Sequence, residues 1–167
     1  NTHKKRVYFF MSLLGAIFST IAILFYLNGN PDYYIIKNSH NIGSSTGFFI
    51  NRTVFSIFLL FCLLASFELL KSKNQKNSNK TFFKNIYVRL FVIIISIGII
   101  TSFSRIGNFL FLITILFYLI KSILFEKNNN KSFIYLLIIF VIFDFIILGF
   151  YFGLPKLVER FYFLKNE

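Results

Sequence analysis

An all-α bundle crossing a membrane about five times is the fold class this sequence predicts, on three observations. Hydrophobic residues make up 56% of 167 residues and mean hydropathy is +0.70, above the apolar share of an ordinary soluble domain. The apolar residues fall in five long runs, each to be set against the ~20 residues a helix needs to cross hydrocarbon. Lysine and arginine gather in the short polar stretches between those runs.

The first run, 7–27, follows Lys4-Lys5-Arg6 and reads as a span, because no small-residue cleavage site comes after it. The second, about 54–70, ends at Lys71 and Lys73. The third and fourth, about 90–103 and 106–120, are separated by Arg105. As one helix, Leu90 to Ile120 would measure roughly 46 Å against a hydrocarbon core of about 30 Å. Two shorter helices meeting at Arg105 fit better, with Arg89 and Lys121 reaching the boundary at their far ends. Thr101, Ser102, Ser104, Gly107 and Asn108 supply turn and capping chemistry at that apex. The fifth run, 133–154, stops at Pro155. Together they form one transmembrane domain over 1–167, expected to belong to a larger bundle.

Orientation follows from the loops. With a turn at Arg105, one side holds Lys4, Lys5, Arg6, Lys71, Lys73, Lys76, Lys80, Lys84, Arg89, Lys121, Lys127 and Lys131. The other holds only Lys37, Arg52, Arg105, Lys156, Arg160 and Lys165. That asymmetry puts the N-terminus in the cytoplasm and Arg52 and Arg105 on the far side. The same clustering accounts for the net charge of +12 without a nucleic-acid partner.

Charged groups at membrane depth cost roughly 2.5–3.5 kcal/mol even on insertion scales. Arg52 opens an apolar run in Gly47-Phe-Phe-Ile-Asn51-Arg52-Thr53-Val-Phe55-Ser56. Arg105 interrupts another in Thr101-Ser-Phe-Ser104-Arg105-Ile-Gly107. A guanidinium at such a place either anchors the helix end or binds a planar anion such as phosphate.

In that order, the two motifs resemble the O-antigen ligase and polymerase family of bacterial membrane glycosyltransferases. The first is similar to the family's Gly-x-Phe-x-Asn-Arg-Asn-x-Phe-Ala, with Thr53 and Ser56 departing from the usual Asn and Ala. The second is similar to its Thr-x-Ser-Arg-Gly turn, with Ile106 moving the small residue to Gly107. The resemblance covers roughly residues 40–165. It implies transfer of a glycan from an undecaprenyl-pyrophosphate carrier to lipid A-core or another glycan, at the periplasmic face of the bacterial inner membrane. Arg52 and Arg105 would hold the pyrophosphate, with Asn51, Ser104 and Arg160 as further candidates.

No cofactor is expected, and no Asp/Glu cluster offers a metal site. Nor is there a credible general base, so this stretch by itself is expected to be inactive. The family's outer-loop histidine lies well downstream, and His40 reads as an ordinary loop residue. Asp144, inside the fifth run, is either a neutral hydrogen-bonding group or a proton or ion site. The second choice suits a small transporter. A non-catalytic lipid- or polysaccharide-handling subunit is the other alternative. Glu68 reads as a local ion pair with Lys71 or Lys73, and Cys62 as a core residue.

Overall fold

The computed structural model describes residues 2–30, 43–71, 79–125 and 131–148. Five helices account for most of them: α1 (Thr2–Leu27), α2 (Arg52–Lys71), α3 (Asn79–Thr101), α4 (Arg105–Phe125) and α5 (Lys131–Leu148). No strand occurs among the described residues. Three helices contain segments long and apolar enough to cross a membrane: His3–Leu27, Arg52–Leu70 and Arg105–Leu124. The apolar part of α3 is shorter, Ile86–Thr101, because Lys80 and Lys84 occupy its first turns. The polar segments 31–42, 72–78 and 126–130, the end of the fifth run, His40 and Arg160 lie outside the described residues.

The chain divides into two compact units, Asn1–Phe111 and Leu112–Glu167, and both arginine motifs belong to the first. In it α1, α2 and α3 pack pairwise against one another. α1 contributes small side chains, with Ser12, Gly15, Ala16, Ser19 and Ala22 all buried at helical spacing. α2 answers with Phe55, Leu59, Leu63 and Phe67, and α3 with Val88, Val92, Ile95 and Ile99. Small residues let backbones approach closely, which is how helices associate where hydrocarbon is the solvent. A Cβ at Gly15 would collide with Cys62 across the α1–α2 seam, and one at Gly98 would collide with Ser19 across α1–α3. Ser12 and Ser66 share a 2.6 Å hydrogen bond, and Ser19 donates to the Ile94 carbonyl at 2.7 Å.

The outward faces are apolar as well. Phe10, Ile17 and Leu24 of α1, Val54 and Phe61 of α2 and Ile93 of α3 are exposed. A surface so composed would be a liability in water and suits contact with lipid tails.

The helices run up, down and up. Towards one end the first half of α1 meets the middle of α3 through Phe9 and Phe91, whose ring centroids lie 6.1 Å apart. Lys4, Lys5, Arg6 and Arg89 are exposed there. At the other end the chain leaving α1 turns through Gly29 and Asn30, both at positive φ. The run 90–120, expected as two short helices meeting at Arg105, is two helices, broken at residues 102–104.

Candidate functional site

Arg52 and Arg105 are each the first residue of a helix, and each follows a capping residue. Asn51 caps α2: its Oδ1 accepts from the Thr53 amide at 2.8 Å, and its carbonyl accepts from the Phe55 amide at 3.1 Å. Ser104 caps α4: its Oγ accepts from the Gly107 amide at 3.2 Å, and its carbonyl accepts from the Asn108 amide at 2.9 Å. Both guanidinium-bearing residues are exposed. Each therefore adds a full positive charge to a helix end that already carries about half a charge from aligned peptide dipoles.

The turn between α3 and α4 is tight. Phe103 has φ 49°, a left-handed conformation that a residue with a Cβ adopts at a cost of roughly 1–2 kcal/mol. The Ser102 amide returns to the Gly98 carbonyl at 3.1 Å, that of Phe103 to Ile100 at 3.1 Å, and Ser102 Oγ accepts from the Ser104 amide at 3.3 Å. Phe103 is buried, its ring set edge-on to Tyr26 with centroids 6.2 Å apart. Burying the ring and satisfying the helix end offset the strain.

The segment leading into Arg52 is pinned to the same turn. Ser44, Ser45 and Thr46 are buried. Asn30 Nδ2 donates to the Ser44 carbonyl at 2.9 Å, and the Ser45 amide donates to the Thr101 carbonyl at 3.0 Å. The hydroxyls of Ser45 and Thr101 are 2.8 Å apart. Gly47, at φ 56°, presses against Ala22 of α1 where no Cβ fits comfortably. Phe49 then packs against Phe55 and Phe58 with its ring tilted to theirs, centroids 5.4 Å away in both pairs.

The two capped starts abut. Ser104 Oγ donates to Thr53 Oγ1 at 3.2 Å, and Gly107 lies so close to Ser56 that a Cβ there would collide with the serine side chain. The starts of α2 and α4 are thus neighbours in the first unit, and the residues Ile50, Val54, Ile106 and Phe109, close in sequence to the two arginines, leave an apolar face exposed. Such a face can hold an anion attached to a lipid: amide and guanidinium donors for the charge, apolar side chains for the tail.

Several roles differ from the sequence expectation. Gly107 and Asn108 are not turn residues but lie inside the first turns of α4. Gly107 permits helix contact, and Asn108, only 1% exposed, has no hydrogen-bond partner on either amide atom. Thr53 and Ser56, singled out only as departures from a motif, face the second motif directly. Sequence spacing carried no signal for that meeting, since the two sites are separated by a whole helix pair. Asp144 lies within α5. Glu68 is half-buried near the end of α2. No family model, curated protein or solved structure matches this chain.

Proposed function

We propose that this chain is the donor-binding part of a bacterial inner-membrane glycosyltransferase similar to the O-antigen ligases and polymerases, holding a lipid pyrophosphate between Arg52 and Arg105. The observation that carries the reading is the abutment of two capped, arginine-led helix starts, joined by the Ser104–Thr53 hydrogen bond. Motifs about a third of the chain apart in sequence meet at this contact, which supports a ligand shared between them. In this reading the chain crosses the membrane about five times with its N-terminus in the cytoplasm, and the arginines face the periplasm. The carrier's isoprenoid tail lies along the apolar residues flanking the site. Its pyrophosphate accepts hydrogen bonds from both guanidinium groups, which stabilise the negative charge that develops as the glycosidic bond to the carrier breaks. The sugar acceptor is lipid A-core or another carrier-linked glycan, and the base that activates it comes from residues other than those described.

Binding tests the reading apart from catalysis. The 167-residue chain in lipid nanodiscs should bind farnesyl pyrophosphate, and Arg52→Gln and Arg105→Gln should each weaken that binding at least about tenfold. Unchanged binding in both variants would remove the arginines from any donor site.

A further inference from the structure

Four cations occupy the end of the three-helix unit that lies away from Arg52 and Arg105. Lys4, Lys5 and Arg6 of α1 and Arg89 of α3 are exposed there, and among the described residues no carboxylate pairs with any of them. The first turn of α1 contains no acidic residue, although the positive end of a helix dipole favours anions and disfavours cations. The register of α1 and α3 shows which side chains share a face. The two helices run parallel: Phe9 meets Phe91, Gly15 approaches Ile95 and Ser19 adjoins Gly98, so a residue of α1 is level with the one about 80 positions later. Arg6 is therefore level with Tyr87. Side chains step round a helix by about 100° per residue. In parallel helices touching through Phe9 and Phe91, that step carries Phe10 and Leu90 to the same side of the contact. Arg6 and Tyr87 fall on that side too, one turn nearer the helix starts. All four are exposed. Arg89, about 200° round α3 from Phe91, falls on a different face.

The order of groups along this face is that of an anionic phospholipid. Arg6 and Tyr87 offer a guanidinium and a phenol at the outer level. Phe10 is about 6 Å deeper than Arg6, and Leu90 about 4.5 Å deeper than Tyr87. Basic groups beside transmembrane helices attract anionic headgroups, and tyrosine belongs at the same boundary, its ring toward the tails and its hydroxyl toward water. We propose that this face of α1 and α3 binds one anionic phospholipid, its phosphodiester held by Arg6 and the Tyr87 hydroxyl and an acyl chain lying against Phe10 and Leu90. The guanidinium fork matches the two free oxygens of a phosphodiester. Lys4 and Lys5 add attraction for the net negative charge. A zwitterionic lipid offers the same phosphate but brings its own cation, which these side chains repel, and that repulsion supplies the selectivity. Inorganic phosphate has no tail and gains nothing from Phe10 and Leu90. The face lies at the opposite end of the unit from the proposed donor site, so lipid binding here does not depend on that site.

Native mass spectrometry tests this on the 167-residue chain in detergent, titrated with dioleoyl phosphatidylglycerol or dioleoyl phosphatidylcholine. The parent should retain one phosphatidylglycerol with a preference of about tenfold. Arg6→Gln and Tyr87→Phe should each reduce that preference about fivefold while phosphatidylcholine binds as it does to the parent. Arg89→Gln is the control. It removes an exposed cation from the same end but not from this face, and should leave the preference near the parent value. Equal losses from Arg6→Gln and Arg89→Gln would overturn the proposal, because a diffuse cationic field gives that result. Parent-level preference in Arg6→Gln or in Tyr87→Phe would overturn it as well. So would a parent that does not discriminate between the lipids, or release of phosphatidylglycerol by excess inorganic phosphate, which would leave the tail with no part in binding. Unchanged melting of each variant in phosphatidylcholine nanodiscs shows that the fold is intact, since all three positions are exposed.

Discussion

Ser104 donates its hydroxyl to Thr53 across 3.2 Å, and each of these residues stands next to one of the two arginines. The same Ser104 oxygen accepts from the Gly107 amide, so one side chain both starts α4 and ties that start to α2. Helix capping and site assembly are here a single contact.

That coupling separates two substitutions. Ser104→Ala removes the cap and the tie together and should destabilise the protein by about 1–2 kcal/mol, the upper part of the range for a lost N-cap. Thr53→Val keeps the shape and the α4 cap but loses the acceptor, and should cost roughly 0.6 kcal/mol, an average interhelical hydrogen bond in a membrane protein. Thermal melting in matched nanodiscs checks both. Equal losses would mean that the cap contributes nothing of its own.

Gly107 should tolerate no side chain. Gly107→Ala sets a methyl against Ser56, in a seam where overpacking costs about 1–3 kcal/mol. Ser56→Gly should restore most of that loss, because Ser56 supplies the obstructing atoms. A double-mutant cycle measures this directly, and simple additivity of the two changes would place the strain elsewhere.

Sidedness is testable at positions the structure leaves open. Ser44 and Gly107 lie at the site end but are buried, so cysteines there would resist modification whichever way they face. Ile50 at 89% exposed and Ile106 at 58% are suitable, and the native Cys62 is buried and contributes little background. Cysteines at Ile50 and Ile106 should react with an impermeant thiol reagent added to intact cells, and one at Lys5 should not. Labelling at Lys5 alone would invert the proposed orientation.

Much of the fold was legible because hydrocarbon is an unforgiving solvent. Long apolar runs have few alternatives to helix there, and the length of 90–120 already required a break. The break fell at Ser102–Ser104 because serine caps are local signals, readable within one turn. Helix starts were less legible. α1 extends back through Lys4-Lys5-Arg6, since lysine and arginine are good helix formers whether or not they lie in the apolar span. The site was half legible. Arg52 and Arg105 stood out because charge beside apolar sequence is conspicuous. Thr53 and Ser56 did not, since an ordinary polar residue acquires meaning only from what packs on it.

Asp144 lies in α5, and the two readings of its carboxyl part company under one change. As a neutral hydrogen-bonding group it should tolerate Asp144→Asn, which keeps size and polarity, with membrane abundance and glycan transfer near those of the parent. Loss of activity at normal abundance would make it a proton- or ion-handling group and favour the transporter.

The sharpest prediction concerns the arginines. A clamp on pyrophosphate needs the planar fork of guanidinium, and lysine supplies only a point charge on a flexible stem. In cells carrying the complete protein, Arg52→Lys and Arg105→Lys should each insert normally and each transfer glycan poorly. A charge-assisted hydrogen bond is worth roughly 1.5–3 kcal/mol, about ten- to a hundredfold in rate if it acts in the transition state. The block should appear as accumulated carrier-linked glycan, because assembly of the donor precedes this step. A helix anchor predicts otherwise. Lysine reaches the membrane boundary as well as arginine, so anchoring alone would leave transfer at the parent rate. Parent-level transfer in both lysine variants would reduce the two arginines to helix ends.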